Sequence, residues 1–174
     1  RGILPLDGFK ISRSLAKTLR NHPYSVHVDR DFQATIKGCA TSGTERESTW
    51  INATIVDLYG KLFDMGYCHT VEVYDGDALI GGLYGLAIGG AFFGESMFHR
   101  KTDASKIAMA HLVERLNAGG FVLLDTQFLT PHLASLGGVE IPRAQYEAML
   151  SAALDVTADF SAWDCHNASR HPRA

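Results

Sequence analysis

The sequence predicts an α+β fold: a mostly antiparallel sheet flanked by helices. Strand-like runs at 68–74, 78–88 and 91–98 follow one another, separated only by Asp75-Gly76-Asp77 and Gly89-Gly90. Turns that short join antiparallel neighbours. Amphipathic helical stretches stand on either side of this meander, so helices packed on the sheet are the economical arrangement. Of the 174 residues, 46% are hydrophobic and 20% charged, which is enough apolar material for a substantial core.

Taken in order, residues 11–20 read as a helix with Ile11, Leu15 and Leu19 on one face and Arg13, Lys17 and Arg20 on another. Tyr24 to Val28 alternates like a short strand. Asp31 is placed to cap a helix reaching about Ala40. The polar stretch 41–48 is a loop. It leads to Trp50 and a helix whose apolar face is Ile55, Val56, Tyr59, Leu62 and Phe63, ended by Gly66. After the three strands, a helix starts behind the N-cap candidate Asp103 and runs to about Ala118, where Gly119-Gly120 stops it. Residues 121–125 (FVLLD) read as a buried strand. Short helices around Leu133 and from Ala144 to Ala153 close the core, and CHNASRHPRA reads as a frayed tail. A strand, strand, strand, helix, strand run is also the order found in GCN5-related acyltransferases.

Bulk properties narrow the function classes. No apolar run approaches the ~20 residues a membrane helix needs, and no signal peptide opens the chain. The three cysteines, Cys39, Cys68 and Cys165, are odd in number and far apart. That speaks against a disulfide framework or a C-x-x-C metal site and for the reducing cytoplasm. A net charge of −3 argues against a protein that coats nucleic acid, yet leaves room for a local basic patch.

Three places have chemical potential. In FFGESMF, Glu95 is either a satisfied core or edge acid or a site residue, and Gly94 beside it suggests a bulge. His99-Arg100-Lys101 precedes a helix N-terminus, where cations and free N–H groups suit an anion, although a solvated charged loop fits equally well. Asp125-Thr126-Gln127 ends the apolar strand. If the strand continues, Asp125 and Gln127 point the same way, and the carboxylate can orient an amide beside a reacting amine; turn chemistry alone also explains such an Asp. There is no G-x-S-x-G, P-loop or H-E-x-x-H. His69, His111 and His132 read as structural residues.

Specific strings go further. Phe9–Leu15 (FKISRSL), Ser48–Ile51 (STWI), His69–Tyr74 (HTVEVY), Gly81–Gly85 (GGLYG) and Phe92–Phe98 (FFGESMF) resemble leucyl/phenylalanyl-tRNA–protein transferases. So do Ala104–Lys106 (ASK), Leu123–Gln127 (LLDTQ), His132–Gly137 (HLASLG) and Glu140–Arg143 (EIPR). The resemblance covers most of the chain in the family's order. It implies a GCN5-like aminoacyltransferase fold, with residues 1–10 a remnant of an N-terminal region or linker, 11–160 the catalytic domain and 161–174 a C-terminal tail. It implies no metal and no cofactor, with Leu-tRNA or Phe-tRNA as co-substrate and a protein beginning with Arg or Lys as acceptor. The product would enter N-end rule degradation, and the enzyme would be a cytoplasmic monomer without membrane association.

Carried over motif by motif, Asp125 and Gln127 are the catalytic pair and Glu95 holds the acceptor's basic residue. Leu83, Phe92, Met97, Met109, Leu112, Leu116 and Leu124 line the aminoacyl pocket. Trp50 meets the terminal nucleotide, and Arg13, Lys17, Arg100 and Lys101 are the basic groups for tRNA. Strict strand alternation puts Phe92 opposite Glu95, so this assignment requires the Gly94 bulge or a twisted strand. The family also has an N-terminal domain ahead of the stretch matched here, and this chain is expected to start after it. Two alternatives stay open. One is an acetyl-CoA-dependent N-acetyltransferase, weakened because 99–105 contains no glycine for a phosphate loop. The other is a non-catalytic tRNA- or peptide-binding module.

Overall fold

The computed structural model describes residues 1–41 and 50–163. In chain order its elements are β1 (Gly2–Ile3), a 3₁₀ turn (Leu6–Gly8), α1 (Arg13–Asn21), β2 (Ser25–Val28), α2 (Phe32–Thr41), α3 (Ala53–Asp64), β3 (Cys68–Asp75) and β4 (Ala78–Ile88). Then come β5 (Ala91–His99), α4 (Ala104–Ala118), β6 (Leu123–Gln127), α5 (Pro131–Ser135), β7 (Val139–Glu140) and α6 (Arg143–Leu154). The seven strands hydrogen-bond in the order β2-β3-β4-β5-β6-β1-β7. Pairing is antiparallel between β2 and β3, β3 and β4, β1 and β6, and β1 and β7, and parallel between β5 and β6. The class is α+β, as the meander and its short turns predict. Among the described residues no helix is long and apolar enough to cross a membrane.

Local sequence explains the helix starts. The Ser12 side chain accepts the Leu15 N–H at the head of α1 (3.2 Å), and Asp31 accepts the Ala34 N–H at the head of α2 (2.9 Å). Asn52 does the same for Ile55 at α3 (3.0 Å). Thr130 caps α5, with Pro131 in its first turn. The turn after Asp75 closes a hairpin whose register runs from Asp75↔Ala78 to Cys68↔Leu86.

The chain divides into two compact units. One comprises Ile11–Leu86 and Gly94–His111, the other Arg1–Lys10, Ala87–Phe93 and Leu112–Ala174. In the first, Phe32, Ile36 and Cys39 of α2 join Cys68, Tyr84 and Phe98 of the strands in one buried cluster. The α3 side chains Ile55, Val56, Tyr59, Leu62 and Phe63 pack against it, which is the apolar face expected from their spacing. Phe32 stacks on Phe63 at 5.0 Å between centroids. In the other unit, Ile3, Ala91, Leu123 and Ala153 form the centre, covered by Tyr146, Met149 and Leu150 of α6.

Two sequence expectations change. The strand expected at 121–125 runs Leu123–Gln127. Phe121 instead closes the end of α4, its N–H bonded to the Leu116 carbonyl at 2.9 Å, so Asp125-Thr126-Gln127 lies inside the strand. The opening residues expected as a linker contain β1, with Ile3 and Leu4 buried.

Candidate active site

Asp125 is completely buried at the middle of β6, and its carboxylate is surrounded by donors. The Arg1 guanidinium donates from Nε to both oxygens (3.0 and 3.1 Å) and from Nη2 to Oδ2 (2.9 Å). The Tyr146 hydroxyl, from α6, donates to Oδ2 at 2.7 Å. The Gln127 backbone N–H donates to Oδ1 at 2.7 Å. A buried carboxylate without such partners would be several kcal/mol unfavourable, on the order of the desolvation cost of an ion. Here every donor is in place. Arg1 also lies over the Tyr146 ring, 5.4 Å from its centroid. Burial and the bond to Asp125 push the Tyr146 phenol up to about 12, and the bond to Asp125 raises the already high Arg1 value.

Gln127 adopts φ 60°, in the left-handed region that residues with a Cβ avoid. The Phe128 N–H reaches back to the Thr126 carbonyl at 2.7 Å. Gln127 is therefore the centre of a tight three-residue turn of the rare, strained γ type, at a cost on the order of 1–3 kcal/mol. This changes the expected geometry of the pair. The regular alternation that would set Asp125 and Gln127 on one face is interrupted, because the pairing with β1 shifts register between Gly2 and Ile3 and Gln127 sits at φ 60°. A bond from the Gln127 backbone N–H to the Asp125 carboxylate couples the two residues. β1 lies against the turn, with Gly2 paired to Gln127. A Cβ on Gly2 would sit 2.6 Å from the Phe128 carbonyl carbon, so only glycine permits this approach. In the same unit Phe92, Leu112, Leu116 and Leu124 are buried. Phe92 stacks on Phe160 at 5.6 Å, and Phe160 covers buried Arg115, whose guanidinium donates to the Phe160 carbonyl at 2.8 Å.

The other unit holds Glu95, Leu83, Met97 and Met109. Leu83 and Met109 are buried, whereas Glu95 and Met97 are partly accessible. Glu95 lies near enough to the Tyr59 phenol of α3 to raise it, and Ser96 near enough to the Cys39 thiol of α2 to offset part of its rise on burial. Burial and then the Glu95 carboxylate push the Tyr59 phenol up, burial followed by Cys39 and Tyr59 does the same to Tyr84, and burial takes the Cys39 and Cys68 thiols to about 12.

The basic groups differ in availability. Arg13 and Lys17 are exposed on α1. Arg100 donates to the Leu79 carbonyl at 2.9 Å, and Lys101 is paired with Asp75, so both cations ahead of α4 have intramolecular partners. Asp103, at φ 63°, pairs with Lys106 at 2.8 Å. Trp50 is half exposed just before α3, while Ser48 and Thr49 of its motif, and the loop through 48, lie outside the described residues apart from Thr41.

Sequence reasoning missed Arg1, Tyr146, Tyr59 and Phe160 as parts of these surroundings. Arg1 precedes an apolar Gly-Ile-Leu-Pro run, a sign that the segment is packed. Tyr146 follows the EIPR string by three residues, and nothing local links it to Asp125.

Comparison with known proteins now identifies the family. A family model described as leucyl/phenylalanyl-tRNA protein transferase matches residues 3–151. A protein of that name from Ruegeria sp. (strain TM1040) is 62% identical over 92% of this chain and 74% of its own length. One from Cereibacter sphaeroides (strain ATCC 17025 / ATH 2.4.3) is 58% identical over 92% and 73%. One from Rhodopseudomonas palustris (strain BisB18) is 56% identical over 92% and 70%. The solved structure of L-PGS from Bacillus licheniformis superposes with a TM-score of 0.55 at 11% identity, covering 88% of this chain and 64% of that one, which shows a shared fold. These relatives favour an aminoacyl-tRNA–protein transferase over the acetyl-CoA-dependent alternative. The chain belongs to the leucyl/phenylalanyl-tRNA protein transferase family.

Proposed function

We propose that the chain moves leucine or phenylalanine from aminoacyl-tRNA to the N-terminal Arg or Lys of an acceptor protein, with the Asp125–Gln127 turn at the reacting centre. Family membership supports the reaction class. The observation that carries the choice of site is the buried, fully bonded Asp125 holding Gln127 at φ 60°. A strained residue fixed by a buried charge is costly to keep, and such strain concentrates at functional sites.

The chemistry asks for little base strength. The donor is an activated ester, and the acceptor's α-amine has an ordinary pKa near ~7.7–8, so a sizeable neutral fraction exists at physiological pH. The amine nitrogen bonds to the ester carbon, the bond to the ribose oxygen breaks, and the proton lost from nitrogen ends on that oxygen. Holding the two reactants together can supply up to about 7–11 kcal/mol. Asp125 is ill suited to accept the proton, because both of its oxygens already take two donors or more. Its role in this reading is to fix the turn, so that the Gln127 side-chain oxygen accepts a hydrogen bond from the attacking amine.

Glu95, a carboxylate among the phenols of Tyr59 and Tyr84, suits the acceptor's cationic side chain. The resemblance assigns the selection of Leu or Phe to Leu83, Met97 and Met109 of one unit and to Phe92, Leu112, Leu116 and Leu124 of the other. One methylene there is worth roughly 1–3 kcal/mol. Arg13 and Lys17 offer tRNA phosphates the accessible cations of α1, and Trp50 offers a terminal base its ring. Arg100 and Lys101 would have to leave their present partners to join them. In this reading no cofactor takes part, the enzyme acts as a cytoplasmic monomer, and the added residue marks the acceptor for N-end rule degradation.

The test offers the protein labelled Leu-tRNA with peptides beginning in Arg, Lys or Ala, and separately acetyl-CoA with the same peptides. Leucine should appear on the Arg and Lys peptides only. Acetyl transfer without leucyl transfer would overturn the reading.

A further inference from the structure

We infer that Arg1 and Tyr146 are positioning residues for the transfer reaction, acting through Asp125 on the turn that carries Gln127. The inference rests on the site proposed above and adds to it two groups distant in sequence. Asp125 has one bond that matters to the turn, from Oδ1 to the Gln127 N–H at 2.7 Å. A carboxylate can rotate and lose such a bond unless its other lone pairs are occupied. Arg1 grips it with a planar fork, through Nε and Nη2, which sets the carboxylate plane as a single ammonium could not. Tyr146 takes Oδ2 at 2.7 Å from a different element, α6. With Oδ2 committed to Tyr146 and the Arg1 Nη2, Oδ1 stays aimed at Gln127.

The Arg1 segment is itself held in place. Its backbone carbonyl accepts the Ile141 N–H at 3.0 Å, and its nitrogen donates to the Ile141 carbonyl at 2.9 Å. Gly2, the next residue, lies against Phe128 on the far side of the same turn. One segment thus braces the turn twice, through the Arg1 side chain and the Gly2 backbone. A purely structural ion pair needs no link to Gln127, yet this one ends on the carboxylate that fixes it.

The test is a double-mutant cycle on the full-length protein: Arg1→Lys, which keeps the charge and loses the fork, and Tyr146→Phe, which keeps the ring, each with and without Asp125→Asn. Each single variant should lower kcat about tenfold, the loss of one charge-assisted hydrogen bond, with KM for Leu-tRNA and for an Arg-peptide within about twofold. In the Asp125→Asn background either change should add less than about twofold, because the group it acts through is already impaired. Losses that multiply in that background, losses confined to KM, or unchanged kcat in Arg1→Lys and Tyr146→Phe would each overturn the inference. If those two are unchanged while Asp125→Asn is slow, the inference fails alone. If Asp125→Asn itself turns over normally, the proposed site fails first and this inference with it.

Discussion

At Gln127 the chain adopts a backbone conformation that its side chain disfavours. The φ of 60° costs a residue with a Cβ roughly 1–2 kcal/mol, and glycine almost nothing. Gln127→Gly should therefore stabilise the protein by about 1 kcal/mol while removing the amide assigned to the reacting amine. Urea unfolding of the two proteins at neutral pH checks this. A lower midpoint in the glycine variant would show that the glutamine side chain contributes more to the fold than its backbone costs. From the sequence, the D-T-Q string showed a carboxylate and an amide two residues apart, and family resemblance gave them roles. It did not show that they meet through the backbone, because that depends on a γ-turn that no residue in the string requires.

Elements long enough to express a period were legible. The α3 face of Ile55, Val56, Tyr59, Leu62 and Phe63 was readable because those residues recur at helical spacing, and they pack on the cluster around Phe32 and Tyr84. The hairpin through Asp75-Gly76-Asp77 was readable because turn chemistry is local. β1 and β7 were not legible, since each has two residues and two residues define no alternation. Their place depends on partners more than a hundred residues away, as in the pairing of Ile3 with Asp125 and with Val139. The stretch read as a linker for that reason contains the Arg1 fork. β6 was misplaced by two residues because Phe121 and Val122 are as apolar as the strand that follows. The bond from the Phe121 N–H to the Leu116 carbonyl ties Phe121 to the end of α4 instead.

Over the whole molecule, the groups shifted by burial make a collective prediction about pH. Cys39 and Cys68 go from an ordinary value of 9.0 to about 12, and Tyr146 from 10.0 to about 12. In each case the folded state holds its proton more tightly than the unfolded chain. Between the two values the folded state binds more protons, so stability falls as pH rises. The contribution is fully present below about pH 9 and is lost between about 9 and 12. Urea midpoints measured from pH 8 upward should decline progressively, and Cys68→Ala should flatten the decline. A midpoint independent of pH across that window would mean that these groups ionise in the folded protein as freely as in the unfolded chain.

The measurement that bears most directly on the proposed chemistry is the single-turnover rate of leucine transfer from prebound Leu-tRNA to a saturating Arg-peptide, in wild type, Asp125→Asn and Gln127→Ala. Both variants should transfer at least about tenfold more slowly, a loss of about 1.4 kcal/mol in the barrier, while binding Leu-tRNA within about twofold of wild type. Wild-type transfer rates in both variants, at matched occupancy, would contradict the account and place the reacting centre elsewhere in the chain.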